Sequence, residues 1–291
     1  MNIKELANKL ETQVQTENNK FCKCNNILDC QYFVTLNNRS PKIHGMLVIL
    51  GYYARNPNES KDLIQNKAVL LATAMEFYLT ALIIDSRIVH YNRREQEQIY
   101  SNKEYQYDTE ERVQRIEVLT LKTIGLRYAL KLLFDHYEWY GSDIVNYFLE
   151  IINNTLHGKA LDILVPRCKI SNEYEHIDSE LREIKRKIES FLFEASFYMG
   201  YRLGGNIDGS EVQWFKEFGR NLASICQFKV EVSLLQKEYP LNDLHIYQGA
   251  NNINSFNKLL NSFDYGPLSN RGEMVKEYLR LNIYETFLKN G

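Results

Sequence analysis

Proline is scarce in this chain: five residues among 291, at positions 41, 57, 166, 240 and 267, so long stretches run without a helix breaker. No glycine-rich phosphate loop follows a strand, no internal repeat is visible, and strand-type alternation never lasts more than a few residues. Charge of one sign is missing too. Lys and Arg number 35 against 37 Asp and Glu, a net charge of -2, which excludes a global basic field for nucleic acid. No uninterrupted apolar run reaches the length of a membrane span. The opening MNIKELANKLETQVQTENNK is amphipathic and has no apolar core of a signal peptide, so the chain is expected to be cytoplasmic.

Cysteine and histidine give little. Five cysteines are an odd number, which rules out a complete disulfide framework. Cys22, Cys24 and Cys30 form C-x-C-x5-C, but no second C-x2–4-C knuckle accompanies them, and Cys168 and Cys226 are solitary; free thiols are the expectation. The six histidines, at 44, 90, 136, 157, 176 and 245, show no HExxH or other ligand spacing.

What the chain does contain is helix. Apolar residues recur at three- and four-residue intervals over 42–54, 61–94, 113–140, 142–165, 172–205 and 210–239, after a first helix over 1–20 and before a last one near 270–289. Pro166 and Pro240 are the expected stops of two of these, and Gly204-Gly205 of a third. The segment 21–41 reads as a broken helix or a loop, and the polar, tyrosine-rich 95–112 as a loop or a solvated helix end. Eight or more helices joined without a linker predict one all-α domain over 1–291.

Several segments carry polar residues at telling places. Ala68–Arg94, AVLLATAMEFYLTALIIDSRIVHYNRR, is apolar until Asp85 and ends in Arg93-Arg94. KIHGMLVILGYYA begins with Lys42 and His44. HGKALDIL holds Gly158, Lys159 and Asp162; KIESFLFEA begins with Lys187; and the helix over 210–239 holds Gln227 and Glu231. Each also has a structural reading. Asp85 can pair with Arg87 or the arginine pair, Glu231 with Lys229 or Lys237, and an arginine pair followed by Glu95 is often a solvated charge run.

Taken in order, these segments resemble the landmarks of the trans-isoprenyl diphosphate synthases. That family has a KRxRPLLVLL segment, a DDxxD helix followed by paired arginines, a GDxLLxxA segment, a GQxxDL element, a KTxxLFE segment and an FQxxDDxxD helix. Gly158-Lys159-Ala160-Leu161-Asp162 is similar to the GQxxDL element with Lys in place of Gln, and IGLRYALKLL to GDxLLxxA with Leu126 in place of Asp. Asn242-Asp243-Leu244 resembles a later Asp-Leu. The likeness spans roughly residues 40 to 250 and lies in the ordered set.

The resemblance implies an isoprenoid-synthase-type helical bundle around a central apolar cavity, and a protein that handles an allylic isoprenoid diphosphate. It implies Asp85 and Glu231 as catalytic and Mg2+-binding carboxylates. Lys42, His44, Arg93, Arg94, Lys159, Asp162, Lys187 and Gln227 are implied as substrate contacts. It also implies a homodimer, or a heterodimer with a prenyl synthase that keeps both aspartate motifs.

The departures from the pattern are specific. The first motif reads Ile84-Asp85-Ser86-Arg87-Ile88-Val89, and in either register the residue one turn on is apolar: Ile88 for Ile84, Val89 for Asp85. The second keeps Glu231 alone. Magnesium binds through oxygen donors, so each lost carboxylate weakens the site. His44 stands where an arginine is usual, and an imidazole does not replace a bidentate clamp on a diphosphate. Glu231, Ser233 and Glu238 are similar to the NDxxSxxxE motif of terpene synthases, without the Asn and with the Ser one position out of register. Peptide-pheromone prenyltransferases of bacteria belong to the same broad family, so the acceptor need not be isopentenyl diphosphate. Two outcomes follow: a divergent prenyltransferase or terpene-synthase-like enzyme, or a non-catalytic regulatory or chain-length-setting subunit of a heteromeric synthase.

Overall fold

The computed structural model describes residues 2–24, 30–40, 42–56, 67–84, 109–168, 174–205, 208–238, 254, 256–264, 268 and 272–282, with backbone alone over 109–118, 158–168, 174–187, 189, 224 and 226–238. The described elements are α1 (Ile3–Cys24), α2 (Cys30–Arg39), α3 (Ile43–Arg55), α4 (Lys67–Ile84), α5 (Thr109–Phe134), α6 (Tyr137–Cys168), α7 (Tyr174–Leu203), α8 (Gly209–Glu238), α9 (256–264) and α10 (Glu273–Leu279). Among the described residues none is in a strand. The all-α expectation holds.

Several boundaries differ from the periodicity. Residues 30–39 form a helix, α2, because Phe33 and Asn37 lie one turn apart on a buried face. The stretch over 113–140 is two helices, since α5 stops at Phe134 and a turn follows in which the Asp135 amide reaches Lys131 and the Trp139 amide reaches His136. Gly141 then kinks α6 with a φ of 64°, a backbone state open to glycine. Pro166 does not end α6, which continues to Cys168; a proline so close to a helix end forfeits little of the hydrogen-bond ladder. Gly204-Gly205 does end α7, with Gly205 at a φ of 154°. The Asn- and Gly-containing stretch 247–255, whose composition predicts a turn, falls outside the described residues except at 254, and the last helix is described as α10 with the helical turn 280–282 after it.

The chain divides into two compact units, Met1–Met46 with Gln65–Gly141, and Leu47–Ile64 with Ser142–Gly291. The core of the first is α4. By length and composition Lys67–Ile84 is apolar enough to cross a membrane, with a mean hydropathy of 1.7, yet 83% of it is buried inside the protein, as in a core helix. Its two threonines return their hydroxyls to carbonyls one turn back, Thr73 to Val69 at 2.8 Å and Thr80 to Glu76 at 2.9 Å, so burial leaves them satisfied. Phe77 of α4 packs with Phe21 of α1, Phe33 of α2 and Tyr128 of α5, ring centroids 5.0 to 5.7 Å apart.

The second unit is organised by α7 and α8. Phe197 and Tyr198 of α7 interleave with Phe215 and Phe218 of α8, at centroid distances from 4.7 to 5.5 Å. Close approach of backbones requires glycine here. A Cβ on Gly200 of α7 would lie 1.9 Å from the Val48 carbonyl oxygen of α3, and one on Gly51 of α3 would lie 2.3 Å from the Phe197 carbonyl oxygen. The start of α8 is a capping box: Asp208 Oδ1 accepts the Glu211 amide at 3.1 Å, and Glu211 Oε2 accepts the Asp208 amide at 3.1 Å.

Candidate functional site

The sequence-predicted residues fall into three groups. Asp85, Arg93 and Arg94 lie outside the described residues. Lys159 and Asp162 are placed on α6, Lys187 on α7, and Gln227 and Glu231 on α8, with the backbone helical at each and the side chains not described. Lys42 and His44 are described, at the entry to α3, and both are half-buried.

Lys42 is the N-cap residue of α3, its carbonyl accepting the Met46 amide at 2.9 Å, and it has a φ of 22°. A non-glycine residue at positive φ is strained and persists where its surroundings hold it. The holders are polar. The Lys42 ammonium donates to the Asn37 carbonyl oxygen and, at 3.3 Å, to the Asn37 side-chain oxygen. It lies 3.9 Å from Glu76 Oε2. Asn37 in turn donates to Asn18 Oδ1 at 3.0 Å, and Asn18 donates to Asn38 Oδ1 at 2.9 Å. Asn37 and Asn18 are fully buried, so α1, α2 and α3 meet over a hydrogen-bonded polar thread.

Glu76 is the residue that sequence reading passed over. It is a carboxylate on the apolar helix α4, with 1% of its side chain exposed. The Gly45 amide donates to Glu76 Oε1 at 2.8 Å, while Oε2 has no hydrogen-bond partner. Burial pushes the Glu76 carboxyl up, against the pull of the Lys42 charge, the Gly45 amide and the Ser40 hydroxyl. Burial pushes the Lys42 ammonium down, against Glu76 and Glu11. A signal was present in the sequence: Glu76 is the one charged residue between Ala68 and Ile84, and a charge is placed in such a run only when something pairs with it.

A second buried carboxylate, Glu17 of α1, accepts from Gln13 at 3.1 Å, Lys20 at 2.7 Å and the Tyr128 hydroxyl at 2.9 Å. In the other unit the Arg55 guanidinium donates to the Tyr201 hydroxyl at 2.8 Å, and that hydroxyl donates to Glu211 Oε1 at 2.8 Å. Arg55 also stacks over the Tyr201 ring, 4.9 Å from its centroid. Glu194 of α7, inside the KIESFLFEA segment, is pushed up to about 7 by burial, against Lys216 and Arg220. Cys22, Cys24 and Cys30 are free thiols; burial and the neighbouring Cys30 thiol push Cys22 up. No group of three or more His, Cys, Asp or Glu placed to hold a metal occurs among the described residues.

With the architecture in view, the comparisons with solved structures are decisive for the fold. A geranyltransferase from Legionella pneumophila superposes over 97% of this chain and 95% of its own, with a TM-score of 0.64 at 12% identity. This chain has the fold of the prenyl synthases. A geranyltransferase from Helicobacter pylori 26695 matches over 96% of this chain and 97% of its own, with a TM-score of 0.62 at 14% identity. Geranylgeranyl pyrophosphate synthetase from Pyrococcus horikoshii Ot3 matches over 79% and 66%, with a TM-score of 0.51 at 15% identity. No protein-family model matches the chain, and no curated protein matches it in sequence. At such identities the likeness is one of fold.

Proposed function

We propose that this chain is a divergent prenyltransferase- or terpene-synthase-like protein that handles an allylic isoprenoid diphosphate in the cytoplasm. The observation that carries the reading is a coincidence of two independent signals. The ordered motif set over residues 40 to 250 comes from sequence, and the fold match over 97% of the chain comes from backbone geometry. The same coverage supports treating 1–291 as a single isoprenoid-synthase-like domain. Arg93, Arg94, Lys159, Lys187 and Gln227 serve the diphosphate, cations and amide donors being the groups that neutralise and orient it, and Asp162 takes part from the GQxxDL-like element. Lys42 and His44 mark the end at which a second substrate is received, and the prenyl chain lies in the apolar interior of the bundle.

A magnesium requirement is tested by the chemistry of the donor set. The described residues form no metal cluster, so the fit rests on Asp85 and Glu231, oxygen donors of the kind Mg2+ takes, one from each degenerate motif. When bound, Mg2+ supplies charge neutralisation to the leaving diphosphate. The chain's own part is to orient the diphosphate with its cations and to exclude water from the allylic carbon with its apolar helices.

The test is Mg2+-dependent pyrophosphate release from dimethylallyl, geranyl, farnesyl and geranylgeranyl diphosphates, with and without an acceptor. We expect release with at least one of them, reduced about 100-fold or more by Asp85→Asn or Glu231→Gln, the scale of losing one group that meets transition-state charge. No turnover on any donor sinks the enzymatic reading. The surviving alternative is then a regulatory or chain-length-setting subunit, favoured by the single carboxylate left in each motif. Co-purification of a partner prenyl synthase with both aspartate motifs intact supports that alternative, and isolation as a homo-oligomer removes it.

A further inference from the structure

Two thiols meet across α1 and α2, and the function proposed above makes no use of them. We infer that Cys22 and Cys30 are a redox modification site: they form a disulfide by exchange with a low-molecular-weight disulfide, and the bond staples α1 to α2.

The register of the two helices brings the thiols together. Asn37 donates to Asn18 Oδ1 at 3.0 Å, and the rings of Phe33 and Phe21 lie 4.7 Å apart. Partners advance along α1 as they recede along α2, so the helices run antiparallel. Cys22 is one turn beyond Asn18, and Cys30 is one turn before Phe33 and two before Asn37. The next matched position on the facing stripes is therefore Cys22 against Cys30, and the two thiols are hydrogen-bonded to each other. Cys30 is buried and Cys22 half-buried, so a dissolved reagent meets Cys22 first. Cys24 is exposed, and residues two apart on a helix do not share a face, so it does not compete for Cys30. Among the described residues no group of three or more His, Cys, Asp or Glu is placed to hold a metal, which leaves oxidation as the chemistry open to a pair of thiols.

The exchange runs in two displacements. Cys22 Sγ, as the thiolate, attacks one sulfur of the small disulfide; that S–S bond breaks, and the departing thiolate takes up the proton Cys22 released. Cys30 Sγ then attacks Cys22 Sγ and expels the second small thiol, which takes the proton from Cys30. Two protein thiols are oxidised to one disulfide, and one small disulfide is reduced to two thiols. Burial and the Cys30 thiol push Cys22 up, so little of it is thiolate and the first displacement is slow. The same pair of helices carries Asn37, which accepts from Lys42 at the entry to α3; the staple therefore fixes the element against which that entry is held.

The experiment equilibrates the folded full chain with oxidised glutathione, alkylates the remaining thiols, and reads a tryptic digest by mass spectrometry. Cleavage after Lys20, Lys23 and Arg39 leaves Cys22 in the tripeptide Phe21-Cys22-Lys23, and Cys24 and Cys30 together in 24–39. We expect these two peptides joined by a disulfide, joined equally in Cys24→Ser, and separate in Cys22→Ser. The thermal midpoint of oxidised Cys24→Ser should stand about 5 °C above that of its reduced form, the scale of closing so short a loop, and dithiothreitol should reverse the rise. A cross-link that vanishes in Cys24→Ser makes Cys24 the partner and overturns the inference. So do glutathione adducts without a cross-link, a cross-link that forms only in urea, and a midpoint that is unchanged or lower on oxidation. Should Cys22→Ser fail to fold, Cys24→Ser decides by itself, because its substitution is at an exposed position and keeps both thiols of the pair.

Discussion

Gly200→Ala isolates the closest backbone approach in the second unit. Replacing glycine by alanine inside a helix ordinarily stabilises it by about 1 kcal/mol through propensity. Here the new methyl would sit 1.9 Å from the Val48 carbonyl oxygen, 2.7 Å from the Val48 carbonyl carbon and 2.9 Å from its Cα. All three are backbone atoms, so no rotamer change relieves the overlap, and α3 and α7 must part by roughly 1 Å at the crossing. A separation of that size forfeits a quarter to a half of the well at each contact it opens. Over a few dozen atom pairs that amounts to about 2 kcal/mol, added to an overpacking strain of about 1–3 kcal/mol. After the propensity gain, the net loss is about 2–4 kcal/mol. Gly209→Ala is the control, since a Cβ there meets nothing within 4 Å; it should be neutral or stabilise by up to about 1 kcal/mol. Urea unfolding followed by far-ultraviolet circular dichroism reads both. If Gly200→Ala unfolds at the same urea concentration as Gly209→Ala, with equal slopes, α3 and α7 do not cross backbone to backbone and the packing argument is wrong.

Two further outcomes follow from side-chain geometry. Tyr201→Phe removes the hydroxyl that accepts from Arg55 and donates to Glu211, so that the two meet each other directly at 3.5 Å without its bridge; we expect a loss of about 1–2 kcal/mol by chemical denaturation, and a loss equal to zero would show that the hydroxyl is not shared. Glu194 is pushed up to about 7 from 4.5, so the folded state holds a proton that the unfolded state has released between those values. Stability of the protein relative to Glu194→Gln should therefore be greatest at or below about pH 4.5, fall as pH rises to about 7, and stay level above it. The change is about 1–2 kcal/mol once partial exposure is discounted. Stability curves of the two proteins that run parallel from pH 4 to pH 8, a range spanning both values, would contradict the burial of that carboxyl.

The legibility of the chain was uneven. The long helices were readable because an apolar stripe every three or four residues is a local property, and α4, α7 and α8 announce themselves in this way. Helix α2 was ambiguous: CQYFVTLNNR has one apolar face, and Asn37 on it becomes a core residue only because Asn18 of α1 and Lys42 are there to bond it. Pro166 misled for a similar reason, its penalty depending on how much helix remains beyond it. Order along the chain suggests candidate motif residues, whereas the approach of Lys42 to the buried Glu76 carboxylate is a matter of packing alone.

By itself, then, the sequence determined the fold class and the order of its landmarks, since periodicity and breaker scarcity act within single helices and need no partner. It also places one carboxylate, Asp85 in one case and Glu231 in the other, in each of the two stretches that resemble an aspartate motif. Only the tertiary structure decided what Glu76 does. Read along the chain it interrupts an apolar run 34 residues from Lys42, and nothing local joins the two. Brought together by packing, each becomes tolerable because of the other: Lys42 lies 3.9 Å from Glu76 Oε2, with 11% and 1% of the two side chains exposed.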